Sequence, residues 1–302
     1  MGARRPSRLD PPGDQRLAHA PRCARAVGNA ACRDRGATRC GANRADLVDA
    51  VHRVSQADRG LAGAGVARPV TALAALRSAL FYLVFYPASA VFVLGSALVA
   101  LVSPAHVRPV PDAWSRFHRA SLRIVGIRVR ELGPRPAGPA LYALKHESYF
   151  DAIDLPTLLD YPVPFAKQEL YALPGWSRAA LTYGSVPIAR DQGARTLRTM
   201  LTEAKRFAAT GRPLAIFPEG TRVPHGTIVP LQAGFAGIYK VLGLPVIPVA
   251  IDSGPLYHRW IKRPGTITVL FGDPIEPGLP RDEIEARVLA AINALNTRPP
   301  EA

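Results

Sequence analysis

Between Ala79 and Val102 the chain reads A-L-F-Y-L-V-F-Y-P-A-S-A-V-F-V-L-G-S-A-L-V-A-L-V, without one charged residue. A helix of that length is ~36 Å long, against a bilayer hydrocarbon core of ~30 Å. The segment therefore predicts contact with a membrane. Pro87, near its middle, leaves two geometries open: one spanning helix, or a kinked hairpin resting in one leaflet. A buried helix of a soluble core is the third. Arg68 and Arg77 precede the segment, while Arg108, Arg116 and Arg119 follow it, so flanking charge sets no orientation.

Around this segment the 302 residues divide by composition. Residues 1–67 hold twelve arginines against six aspartates and no sustained apolar period, the pattern of a disordered basic leader. The apolar segment lies too deep in the chain for a secretory signal. A membrane-anchoring segment is expected over 68–110, a folded domain over 111–298 and a short tail over 299–302. Cys23, Cys32 and Cys40 form no C-x-x-C pair, which supports neither a disulfide framework nor a zinc site; no metal is expected. The net charge of +15 suits an anionic partner. Past position 110, however, bases mix with acids and form no stripe with aromatics, so nucleic acid is not expected. A membrane-tethered polyanion-binding protein without catalysis is the competing class, and it predicts strongly salt-dependent binding.

After Pro111 strands and helices alternate. Trp114, Phe117, Leu122 and Val125 have helical spacing over 113–125, and Ile127 to Glu131 alternates like a short strand. Short apolar runs ending near Lys145, Lys167, Ile188, Phe217 and Ile251 read as strands. Helix-like runs separate them at about 149–159, 168–181, 193–210 and 232–242. Thr266 to Phe271 adds a late strand and Asp282 to Leu295 a closing helix. This order predicts an α/β fold, a mixed and largely parallel sheet covered by helices.

Four blocks stand at the ends of these strands, where α/β sheets place ligands. The first, Lys145-His146-Glu147-Ser148-Tyr149-Phe150-Asp151, has H-x-x-x-x-D spacing. Histidine suits proton abstraction from an alcohol near neutral pH, and a carboxylate can fix its tautomer. Positions five apart diverge by about 140° on a helix. The pair meets only if His146 lies on the loop before a helix carrying Asp151. The second block, Gly184 to Arg190, ends a strand in a guanidinium that suits a phosphate, or is simply solvated. The third is Phe217-Pro218-Glu219-Gly220-Thr221-Arg222. It suits a phosphorylated polyol, with Arg222 on phosphate and Glu219 on hydroxyls or a neighbouring basic group; a plain surface turn is the alternative. The fourth, Val246 to Ile251, is an apolar strand beside an acyl-chain groove, or core and nothing more.

In order and spacing the four blocks resemble the motifs of the glycerolipid acyltransferase family, over roughly residues 113–275, with Phe-Pro-Glu-Gly-Thr-Arg the most specific. The resemblance implies a glycerol-3-phosphate acyltransferase-like fold, with 111–298 as the catalytic domain. It implies His146 as general base with Asp151 as its partner. Substrate contacts would come from Lys167, in Ala166-Lys167-Gln168-Glu169-Leu170, and from Arg190, Glu219, Gly220, Thr221 and Arg222. The implied reaction moves an acyl group from acyl-CoA or acyl-acyl-carrier protein to the sn-2 hydroxyl of 1-acyl-glycerol-3-phosphate. No cofactor is needed; the partners are lysophospholipid, acyl thioester, membrane lipid and, for one donor type, acyl-carrier protein. The implied place is a bacterial inner membrane, with the catalytic domain on the cytoplasmic side. One departure stands out. Many members continue toward Phe-Lys-Lys-Gly, where this chain has Leu231-Gln232-Ala233-Gly234. Two positive charges are missing, which leaves room for another acceptor such as lyso-ornithine lipid, which lacks a phosphate.

Overall fold

Among the described residues, seven strands form one sheet in the order β1-β7-β6-β2-β5-β3-β4. They are β1 (Ile127–Leu132), β2 (Leu141–Leu144), β3 (Val163–Lys167), β4 (Val186–Ile188), β5 (Leu214–Ile216), β6 (Val246–Ile251) and β7 (Gly265–Phe271). This computed structural model describes residues 72–136, 138–173, 175–188 and 193–296. The expected leader at 1–67, the tail at 299–302 and Arg190 lie outside the described residues. Strands β6, β2, β5, β3 and β4 run parallel, β7 is antiparallel to β6, and β1 is parallel to β7. The sheet is thus mixed and largely parallel.

Every residue of β2 and β6 is buried, as central strands covered on both faces must be. Alternation splits β2 between two cores. Tyr142 and Leu144 face one side with Phe150, Ile247, Val249 and Phe271. Leu141 and Ala143 face the other with Phe165, Phe235, Ile238 and Val288.

The helices are α1 (Ala72–Val102), α2 (Pro109–Ser121), α3 (Tyr149–Ile153), α4 (Leu155–Leu158), α5 (Trp176–Tyr183), α6 (Gly193–Ala208), α7 (Gly234–Leu242), α8 (Gly254–Tyr257) and α9 (Arg281–Ile292). Two runs expected to be single helices are broken. The run 149–159 splits into α3 and α4 at Asp154, with a proline in the first turn of α4. The run 168–181 opens as a 3-10 turn over Gln168–Ala172, and α5 starts only after Gly175, whose φ is +78°.

The apolar segment is one continuous helix of 31 residues with Pro87 inside it, not a hairpin. It packs on the domain along most of its length. Phe81 and Phe85 enter the core beside His118 and Tyr257. The Trp114 indole donates to Ser89 Oγ at 3.0 Å, and Ala100 is buried with Ala179 and Tyr183. The opposite face exposes Leu73, Leu76, Leu80, Leu83, Pro87, Val91, Leu94, Leu98 and Leu101, spaced three or four apart as one helical stripe. Both faces are apolar, and among the described residues only one of them is covered.

Lys262 is buried where α1 docks. Its Nζ donates to the Tyr257 carbonyl at 2.8 Å and stands 3.8 Å from the Tyr257 ring centre. Its backbone N–H donates to Ser78 Oγ on α1. Burial pushes its pKa down to about 8. The unfolded chain therefore holds this proton to higher pH than the folded one, and stability rises between about pH 8 and the ordinary lysine value near 10.4. Thermal unfolding in detergent should show that rise in wild type, and Lys262→Met should flatten it.

Candidate active site

Four neighbouring parallel strands deliver the expected His146, Lys167 and Phe217–Arg222 turn, together with the unexpected Ser253, to one edge. In the order β6-β2-β5-β3, their C-terminal ends lead into Ser253, His146, the Phe217–Arg222 turn and Lys167. Strand β4, next to β3, ends at Ile188, two residues short of Arg190.

His146 lies on the loop between β2 and α3. Ser148 caps α3, its Oγ accepting from the Phe150 N–H at 3.2 Å, and Asp151 returns the bond from the third helical position. This capping box turns the Asp151 carboxylate back over the loop. Its Oδ2 accepts the backbone N–H groups of Glu147 and Ser148 at 2.7 and 2.8 Å, and lies 3.1 Å from His146 Nδ1. Its Oδ1 accepts from Ser253 Oγ at 2.6 Å. The carboxylate is buried, so four donors or potential donors fix it in place while the imidazole stays partly open. The ring stacks on Phe217, with centroids 4.2 Å apart. Nδ1 is thereby committed to Asp151; among the described residues Nε2 has no hydrogen-bond partner.

Behind the histidine sits a second, fully buried assembly that sequence reasoning missed. Lys145 Nζ donates to Glu219 Oε1 at 2.6 Å and to Asn293 Oδ1, just beyond α9, at 2.9 Å. Glu219 Oε2 accepts the His146 backbone N–H at 3.2 Å. Burial pushes the Glu219 carboxyl up, opposed by the Lys145 ammonium and the His146 N–H. This corrects the expectation that Glu219 meets substrate: its side chain is wholly inaccessible. The other half of that expectation, a neighbouring basic group, is what the structure shows. A nearby pair has the same form: His225 Nδ1 lies 2.9 Å from Glu147 Oε1, and Glu147 Oε2 accepts the Gly254 N–H.

A cavity of about 820 Å³ opens beside His146. Lys167, Gly220, Arg222, Tyr149 and Gln232 line it with the histidine, and the remaining wall is mostly apolar, including Phe92 and Val93 of α1, Trp114, Met200, Phe235 and Ile238. The Arg222 guanidinium lies over the Tyr149 ring, 3.9 Å from its centre. Thr221 is exposed and outside this lining. Gln232 folds back on the turn, its Nε2 donating to the Glu219 carbonyl at 3.3 Å. Among the described lining residues, Lys167 and Arg222 are the lysine and arginine present. No three His, Cys, Asp or Glu side chains among the described residues converge as a metal site requires.

Comparison with known proteins places the chain in a family. The acyltransferase family model matches residues 126–252, which hold His146, Asp151, Lys167, Glu219 and Arg222. A 1-acyl-sn-glycerol-3-phosphate acyltransferase of Pseudomonas aeruginosa is 32% identical over 228 residues, covering 72% of this chain and 86% of that protein. The chain belongs to the 1-acyl-sn-glycerol-3-phosphate acyltransferase family. It is an O-acyltransferase. The mouse 1-acyl-sn-glycerol-3-phosphate acyltransferase alpha is 27% identical over 172 residues, 54% of this acyltransferase and 60% of the mouse protein. The fold matches the crystal structure of the 1-acyl-sn-glycerophosphate acyltransferase of Thermotoga maritima with a TM-score of 0.59 at 22% identity, covering 73% of this chain and 95% of that one.

The buried pair gives a double-mutant test on the acyltransferase. Lys145→Met leaves Glu219 buried without its cation and should cost about 3–5 kcal/mol. Adding Glu219→Gln removes the stranded charge and keeps an oxygen for the His146 N–H, so the double variant should recover at least half of that loss. Denaturant unfolding in detergent measures both.

Proposed function

We propose that the enzyme transfers an acyl group from a thioester, acyl-CoA or acyl-acyl-carrier protein, to the sn-2 hydroxyl of 1-acyl-glycerol-3-phosphate, giving phosphatidic acid. One observation carries this reading: His146, pinned at Nδ1 by a buried carboxylate, opens on an apolar cavity that also holds Lys167 and Arg222. A carboxylate on Nδ1 favours the tautomer with the proton on that nitrogen and leaves the Nε2 lone pair free as base. Nε2 takes the proton of the acceptor hydroxyl as its oxygen attacks the thioester carbonyl. The tetrahedral intermediate then collapses, the C–S bond breaks, and the imidazolium returns the proton to the leaving thiolate. Arg222 and Lys167 hold the acceptor phosphate, and the apolar wall takes acyl chain.

The long contact of α1 with the domain supports a one-leaflet arrangement. From Ser78 to Ala100 the helix touches protein on one side over ~33 Å. A bilayer-crossing path would pull the packed domain into the hydrocarbon. With the apolar stripe in lipid and the opposite face on the domain, Phe92 and Val93 join the cavity wall to the membrane side of the fold. The placement of Gln232 favours a second acceptor, lyso-ornithine lipid, because no lysine stands there to meet a phosphate.

His146→Ala should fold and lose ~10²–10⁴-fold in rate, read as diacyl product from membranes given a thioester donor and 1-acyl-glycerol-3-phosphate. Activity on lyso-ornithine lipid alone would keep the chemistry and replace the acceptor. Inactivity of wild type on every lysolipid with both donors would favour the polyanion-binding reading. Tyr149→Leu should raise KM for the phosphorylated acceptor several-fold with kcat little changed, and Tyr149→Phe should restore it, because a ring face under Arg222 is what holds the guanidinium.

A further inference from the structure

The exposed apolar stripe of α1 is joined near its N-terminal end by a loop from far along the chain. Between α8 and β7 the sequence runs His258-Arg259-Trp260-Ile261-Lys262-Arg263. Trp260 is 87% exposed, more than any other large hydrophobic side chain among the described residues. An indole left in water is costly, and here it is held there. The Tyr82 hydroxyl of α1 donates to the Trp260 carbonyl at 2.6 Å and lies 3.3 Å from that of Arg259. The Lys262 N–H is anchored on Ser78, and the Tyr82 and Trp260 rings meet edge to face, 6.5 Å apart. Tyr86, itself 62% exposed, stacks on Tyr82. Arg77 and Arg259 are exposed at the same end, and neither has an ion-pair partner among the described residues.

We propose that the 258–263 loop is a second membrane-contact element, in which Trp260 enters the headgroup layer of an anionic leaflet while Arg259 and Arg77 meet lipid phosphates. Tryptophan and tyrosine favour that layer because one end of each ring system is apolar and the other polar. Arginine pairs with phosphate through a planar, charge-assisted fork. A protein partner would also value a tryptophan beside arginines. The lipid surface fits better because Trp260 sits against Tyr82 of α1, the same helix that exposes Leu76, Leu80 and Leu83. The loop thereby fixes the N-terminal end of α1 at the surface. The inference rests on the membrane reading of α1 proposed above.

The test uses the full chain on vesicles of phosphatidylcholine, with or without phosphatidylglycerol. The Trp260 signal is the emission difference between wild type and Trp260→Phe, a substitution at an exposed position that leaves the core intact. Bromine placed on the lipid near the glycerol should quench this difference several-fold more than bromine near the chain terminus. The Arg77→Gln and Arg259→Gln variants should each weaken binding to phosphatidylglycerol vesicles about fivefold and leave binding to pure phosphatidylcholine unchanged. Vesicle-bound protein whose Trp260 stays open to aqueous quenchers overturns the loop proposal and leaves the α1 reading standing. Failure to bind either vesicle overturns both. Equal binding of wild type and arginine variants to both vesicles removes the anionic-lipid contact.

Discussion

Everything in the site hangs from the Lys145–Glu219 ion pair. It joins the end of β2 to the turn after β5, two adjacent parallel strands, at a depth that water does not reach. Charges so placed are expensive unless every hydrogen-bonding position is met. Here Asn293 takes one ammonium proton, the Thr227 carbonyl lies within reach of another, and the second carboxylate oxygen receives the His146 N–H. The pair therefore sets the loop backbone that carries the histidine. Asp151 then sets the ring. Two carboxylates divide the work: one positions the main chain, and one positions the side chain.

The membrane side of the molecule follows from a different constraint. A helix that is apolar all round must be buried all round. The domain supplies one half of that burial through Phe81, Phe85 and Ala100, and α1 leaves the other half for a non-aqueous surface. Because Phe92 and Val93 line the cavity as well, the same helix forms both the anchor and part of the site wall. Anchor and pocket cannot be varied independently.

Legibility in the sequence followed distance along the chain. His146 and Asp151 stand five apart with a capping serine between them, so their meeting could be argued from helix geometry alone. The strands were visible because each central one is a short, unbroken apolar run. For Glu219 the sequence left hydroxyls and a neighbouring basic group both open, because residue type does not reveal direction: the turn after β5 sends Glu219 inward to Lys145 and Arg222 outward to the cavity. Lys145 was in plain view beside His146, yet its partner Asn293 is 148 positions away, and no local pattern signals such a contact. Pro87 left a kinked hairpin open beside a single helix; the helix is continuous and packs against the domain on both sides of the proline.

That long separation has a consequence for how the enzyme comes into being. During synthesis α1, with its apolar stripe, leaves the ribosome well before Asn293 does, and domains tend to fold in the order in which they emerge. Until Asn293 arrives, the Lys145 ammonium lacks a ligand and the sheet is uncovered where α9 will lie. A nascent chain can thus reach its bilayer before the loop bearing His146 is held in place. The loop bearing His146 therefore receives its last support only when the chain has been made through Asn293.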